Sequence, residues 1–229
     1  MSARREPVWL FDLDNTLHDA SHAIFPAINE NMNALITRVL ASQDLPSHPD
    51  AVNEVRVRYW QRYGATLLGM IRHHGVRADD FLRDAHQFDD ITQMIRAERG
   101  IAKLLKRLPG KKILLTNAPR DYAHSVVRHL GLHRHFAEHL PIESMRVHGQ
   151  WRPKPSKLLL RRLLKQRRLS AARCVLVEDT LANLKSAKAL RMRTVCFTGF
   201  SPRTFFRPAF ADVQVKSLHQ LPKRLARLR

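Results

Sequence analysis

Asp12 and Asp14 close the apolar run Val8-Trp9-Leu10-Phe11, and Thr16 follows two residues later. The run has the length and composition of a buried strand, and turn-forming polar residues follow it at once. In an open α/β sheet, ligands bind outside the carboxyl ends of the strands. A strand that stops on Asp12 delivers a carboxylate to that rim, with Asp14 on the loop beyond. Two carboxylates so close repel each other unless a positive charge lies between them. A hard cation such as Mg2+ suits them, because it takes oxygen ligands and completes its shell with water and substrate phosphate. The same side chains could instead cap backbone amides in an Asx-type turn. The pair alone leaves both readings open.

Two further apolar runs end in the same way. Ile113-Leu114-Leu115 stops on Thr116-Asn117, and Val175-Leu176-Val177 stops on Glu178-Asp179. Between them, Lys154 is fixed between Pro153 and Pro155 before a helix-like stretch. Each has a plain alternative when taken singly. Thr116 and Asn117 suit a helix cap, Lys154 a solvated surface, and Glu178 with Asp179 the positive end of a helix. Together, in this order, they suit phosphomonoester hydrolysis through a covalent intermediate. Asp12 is the expected nucleophile, forming an aspartyl phosphate. Asp14 is the expected acid, protonating the leaving alkoxide and then taking a proton from water. Asp12, the Asp14 carbonyl and Asp179 are the expected Mg2+ ligands. Lys154 brings a point charge to the phosphate. The Thr116 hydroxyl and Asn117 amide are expected on its remaining oxygens.

Holding these residues on one rim requires a parallel sheet. From Ala97 onward strand and helix alternate. Helices are predicted over Ala97–Leu108, Tyr122–Leu130, Ser156–Gln166 and Leu181–Leu190, with a basic helical tail from Leu218. Strands are predicted over Lys112–Thr116, weakly over Ala137–Ile142, then Cys174–Glu178, Arg193–Phe197 and Asp212–Val215. Such alternation predicts a Rossmann-like α/β fold, a parallel sheet with helices on both faces. Between Thr16 and about Arg96 the apolar spacing is helical throughout, as in Ile24, Ile28, Met32, Leu35 and Val39. The expected organisation is a core of residues 1–17 and 96–229 with an inserted helical subdomain, 18–95.

The chain of 229 residues is 44% hydrophobic, enough for a core domain with an insert. No apolar run approaches the ~18 residues of a membrane span, and the opening residues show no leader-like apolar region. Cys174 and Cys196 sit in apolar runs and are expected to be reduced and buried. A cytoplasmic protein is the expectation. The formal charge is +20, and residues 144–229 alone hold 21 Lys and Arg against 3 Asp and Glu. This half reads either as solvated helix faces or as an attraction for anions, up to nucleic acid. The oligomeric state is not readable from these residues.

Asp12-Leu-Asp14-Asn-Thr16, Leu115-Thr116-Asn117, Lys154-Pro155 and Glu178-Asp179-Thr-Leu-Ala-Asn183 resemble the four motifs of the haloacid dehalogenase-like (HAD) hydrolases. The helical insert resembles the α-helical cap of subfamily IA, which includes phosphoglycolate phosphatases and dehalogenases. Tyr59 to Met70 and His73-His74-Gly75-Val76 are similar to a stretch of the pyrimidine 5′-nucleotidases. That likeness implies dephosphorylation of UMP- or CMP-like nucleotides; a mobile cap that closes over the site to exclude water is a separate expectation. Tyr63, Gly64 and His74 also have plain packing roles in a helical subdomain. Many relatives carry a second aspartate where this chain has Asn183. There the amide would orient Asp12 or a water rather than bind metal, with Glu178 and Thr16 as further supporting residues. A phosphatase of other small phosphate esters, or a phosphomutase, would share the whole set. From another class, a basic nucleic-acid-binding protein on an inactive scaffold is the rival.

Overall fold

The structure is a computed structural model that describes residues 6–200 and 208–228. Residues 1–5, part of the opening stretch read for a leader, lie outside the described residues. The chain divides into two compact units, one of residues 1–20 and 95–229, the other of residues 21–94.

The first unit is built on a six-stranded parallel sheet. Its strands are β1 (Val8–Phe11), β2 (Lys111–Leu115), β3 (Glu138–Leu140), β6 (Cys174–Glu178), β7 (Arg193–Phe197) and β8 (Val213–Val215). Their order is β3-β2-β1-β6-β7-β8. Strand β1 is central, and all four of its residues are buried, as expected for a strand covered on both faces. Alternation along the strand splits its side chains. Val8 and Leu10 share a core with Leu159, Leu160 and Leu163 of helix α7 (Lys157–Gln166) and Leu184 of α8 (Leu181–Lys188). Trp9 and Phe11 point to the opposite face, where Phe11 meets Phe136 edge-on and the Trp9 indole donates to the Pro109 carbonyl at 2.8 Å. The chain builds β2 and β3 on one side of β1, then crosses to build β6 to β8 on the other. That reversal is where an open α/β sheet offers its binding crevice.

Three local features depart from the expected elements. Helix α5 (Ile101–Arg107) starts four residues later than its apolar spacing suggests. Gly100 before it has φ 77°, a left-handed turn that a right-handed helix cannot include. A hairpin of two-residue strands, β4 (Arg146–Val147) and β5 (Gln150–Trp151), was not predicted. Its loop residues His148 and Gly149 have φ of 51° and 77°, the twist that a two-residue hairpin requires. The basic tail is three short turns, Leu218–Gln220, Leu221–Arg224 and Leu225–Arg227, instead of one helix. Pro222, which lacks an N–H, falls at the start of the second.

The second unit is helical: α1 (Ile24–Ala41), α2 (Pro49–Tyr63), α3 (Thr66–His74) and α4 (Ala78–Ala85). Glycines in left-handed conformation, Gly64 and Gly75, end α2 and α3. The Tyr59 hydroxyl lies 2.9 Å from His74 Nε2, whose Nδ1 is 2.7 Å from Gln43 Oε1, and Tyr63 pairs with His73 at 2.6 Å. Tyr63, Gly64 and His74 thus all serve the packing of this unit. Among the described residues no helix is long and apolar enough to cross a membrane.

Candidate active site

Three strand ends share one edge of the sheet. Phe11 is in register with Leu114 of β2 and Val177 of β6, so Asp12, Thr116 and Glu178 leave the sheet together. Lys154 joins them from 142 residues beyond Asp12. Its Nζ donates to Asp12 Oδ1 at 2.5 Å and to Glu178 Oε2 at 2.8 Å, and all three residues are buried. The loop holding Lys154 is fixed by Asn117. Asn117 Nδ2 donates to the Lys154 carbonyl at 3.0 Å, while the Lys154 N–H donates to Asn117 Oδ1 at 2.9 Å. The amide expected on a phosphoryl oxygen thus places the lysine with both its polar ends. The buried Thr116 hydroxyl oxygen accepts from the Ala118 N–H at 3.0 Å. Neither residue is the N-cap of helix α6 (Arg120–His129), which is Pro119.

Glu178 works on two sides. Its Oε2 also accepts from Asn183 Nδ2 at 2.9 Å, and its Oε1 accepts from the N–H groups of Asp179 (3.2 Å) and Thr180 (3.0 Å). It holds Lys154 and shapes the loop entering α8. Asn183, expected to orient Asp12 or a water, is bonded to Glu178. Thr16 donates to Asp12 Oδ2 at 3.2 Å. Oxygens of Asp12, Glu178 and Asp179 lie within 4.8 Å of one another.

After Asp14 the chain turns through Asn15, at φ 56°, a conformation asparagine tolerates better than most residues. The Asp14 carboxylate meets two residues that the sequence did not single out. Tyr122, in the first turn of α6, donates to Oδ1 at 2.5 Å, and His18 Nε2 lies 2.9 Å from the same oxygen. The available signals were slight: a histidine four residues after Asp14, and a tyrosine six after Thr116.

The model of the haloacid dehalogenase-like hydrolases matches residues 8–191, from β1 through α8. The chain belongs to this family. Solved structures agree on the fold. The 2-haloacid dehalogenase from Pseudomonas syringae pv. Tomato DC3000 superposes with a TM-score of 0.60 at 22% identity, over 98% of this chain and 100% of that one. A HAD phosphatase from Thermococcus onnurineus gives a TM-score of 0.64 at 16% identity, over 96% and 98%. The YfnB protein of Bacillus subtilis, in a magnesium-bound form, gives 0.58 at 16% identity, over 97% and 100%.

In this HAD-like hydrolase, three carboxylates stand around one buried ammonium. Burial first, and then the charge of Glu178, pushes Asp12 up to about 8 and Asp179 up to about 10. Lys154 and Glu178 behave oppositely. Burial opposes their charges, yet Asp12 and Glu178 raise the ammonium, and Lys154 holds Glu178 below the usual carboxylate range. Glu178 therefore offsets Lys154. Asp12 and Asp179 are thus held toward their protonated forms, and their ionisation requires a positive charge beyond Lys154. Two such carboxylates with oxygens in mutual reach fit a divalent cation that prefers oxygen ligands. Burial and then the Asp14 carboxylate raise the Tyr122 phenol well above its ordinary range, so it remains a donor.

Proposed function

We propose that the chain is a Mg2+-dependent phosphomonoester hydrolase acting through an aspartyl phosphate on Asp12. The observation that carries this reading is the rim's donor set. Oxygens of Asp12, Glu178 and Asp179 lie within 4.8 Å of one another, and Lys154 pairs only with Asp12 and Glu178 among them. Full ionisation of the set therefore needs a further positive charge. Asp12, Asp179 and the Asp14 carbonyl would hold the ion, which supplies charge neutralisation to the phosphoryl oxygens. An Asp12 carboxylate oxygen attacks phosphorus as the bond to the ester oxygen breaks. Lys154 steadies the transferring phosphoryl group and keeps Asp12 aimed. Asp14 gives its proton to the leaving alkoxide. It then accepts one from the water that attacks the aspartyl phosphate, releasing phosphate and restoring Asp12.

Asp14 separates this reading from dehalogenation, which expels a halide and has no alkoxide to protonate. For the substrate, the likeness of residues 59–70 and 73–76 to pyrimidine 5′-nucleotidases favours UMP- and CMP-like nucleoside monophosphates over phosphoglycolate or sugar phosphates.

The test is a phosphate-release screen with Mg2+ across nucleoside monophosphates, sugar phosphates and phosphoglycolate. Pyrimidine monophosphates are expected to be turned over best. Asp12→Asn should abolish release while leaving the circular dichroism spectrum unchanged. Turnover of none of these esters by folded protein would refute the phosphatase reading, and parent-like rates in Asp12→Asn would refute the covalent route.

A further inference from the structure

We propose that Tyr122 and His18 are positioning residues for Asp14, gripping one carboxyl oxygen so that the other faces the leaving group. This rests on the phosphatase reading above, in which Asp14 moves the proton. Both contacts converge on Oδ1, at 2.5 Å from the Tyr122 hydroxyl and 2.9 Å from His18 Nε2, and the two donors lie 3.4 Å apart. A carboxyl group gripped at Oδ1 carries its transferable proton on Oδ2.

The grip is not needed to close the loop. Backbone bonds from the Thr16 and Leu17 N–H groups to the Leu13 carbonyl, at 3.2 and 2.8 Å, already do so. Nor does it follow from filling the core. The His18 ring is wholly buried, and its Nδ1 has no hydrogen-bond partner among the described residues. A buried polar atom left unmatched is unfavourable, and an apolar side chain of similar size would fill the space without it. The ring makes its hydrogen bonds through Nε2, to Asp14 and Tyr122. The tautomer with the proton on Nε2 lets it donate to Asp14 and leaves a bare lone pair, not an N–H, unmatched.

The consequence is selective. An ester with a poor leaving group needs Asp14's proton in the transition state. A nitrophenolate leaves without one. Loss of orientation should therefore lower kcat/KM, which reports the steps up to release of the leaving group, for alkyl phosphates and spare it for p-nitrophenyl phosphate. Hydrolysis of the aspartyl phosphate, with Asp14 as base, is common to both and enters only kcat. A purely structural role would slow both alike.

The experiment compares the parent, Tyr122→Phe, His18→Leu, His18→Gln and Asp14→Asn on p-nitrophenyl phosphate and on the best alkyl ester from the screen, with Mg2+. Tyr122→Phe and His18→Leu should lower kcat/KM on the alkyl ester by about 10- to 100-fold. With p-nitrophenyl phosphate kcat/KM should stay within about threefold. Asp14→Asn should show the same split more strongly. His18→Gln, which keeps a donor near the Nε2 position, should recover part of the alkyl-ester rate. Equal losses of kcat/KM on both substrates, or no loss in either positioning variant while Asp14→Asn shows the split, would overturn the proposal alone. A parent protein inactive on both esters would overturn the phosphatase reading as well.

Discussion

Lys154→Met removes the charge that Asp12 and Glu178 share while keeping most of the side chain's length. Lys154 is only 3% exposed and donates to both carboxylates, at 2.5 and 2.8 Å. A hydrogen bond to a charged group contributes roughly 1.5–3 kcal/mol, and breaking a buried pair from one side costs about 3–5 kcal/mol because a buried charge is left uncompensated. Two such bonds end here, and Asp179 stands close by, so the loss in the presence of EDTA should reach about 3–5 kcal/mol. For a chain of this size that lowers Tm by roughly 6–20 °C. Urea unfolding followed by circular dichroism measures it. Lys154→Met/Glu178→Gln should be more stable than Lys154→Met alone, because the second change removes one of the stranded charges. Added Mg2+ should stabilise Lys154→Met more than the parent, since its site is the more negative. A Lys154→Met variant within about 1 kcal/mol of the parent in EDTA, or a double variant no better than the single, would refute the charge argument.

Other consequences are simpler. Mg2+ should raise the Tm of the parent protein, and Asp179→Asn should lose most of that rise; equal shifts would remove Asp179 from the ligand set. A Cβ on Gly69 would sit 2.1 Å from Tyr59 Cγ. Gly69→Ala should therefore destabilise the helical unit by about 1–3 kcal/mol in urea unfolding, although alanine is ordinarily the better helix former. Glu138 accepts from Arg167 Nε at 2.9 and 2.7 Å, and that bonding holds its carboxyl below the usual range. A depressed folded value means the pair stabilises above the ordinary carboxylate range and ceases to do so as pH falls through the folded value. Glu138→Gln should thus be less stable than the parent at pH 7, and the difference should shrink steadily as pH falls below the ordinary carboxylate range, as read by thermal unfolding at each pH.

Much of the site could be read along the chain, because a parallel sheet gives local text a spatial meaning. A strand that runs apolar and stops on Asp12, Thr116 or Glu178 places those residues on one rim whatever the order of the strands. The helical insert and the Ser156 cap of α7, which accepts from the Leu159 N–H at 3.3 Å, were equally local and equally legible. What lay beyond was pairwise. That Asn117 clamps the Lys154 backbone, that Glu178 divides its two oxygens between Lys154 and the loop into α8, and that Tyr122 meets Asp14 across 108 residues all depend on which elements lie side by side. Residue type and spacing determined which groups reach the rim, since strand length and polarity act within a few residues. Only the tertiary structure decided which of them touch and which charges remain unbalanced, because a hydrogen bond is made or lost within a fraction of an ångström, and that distance is set by the packing of the whole sheet.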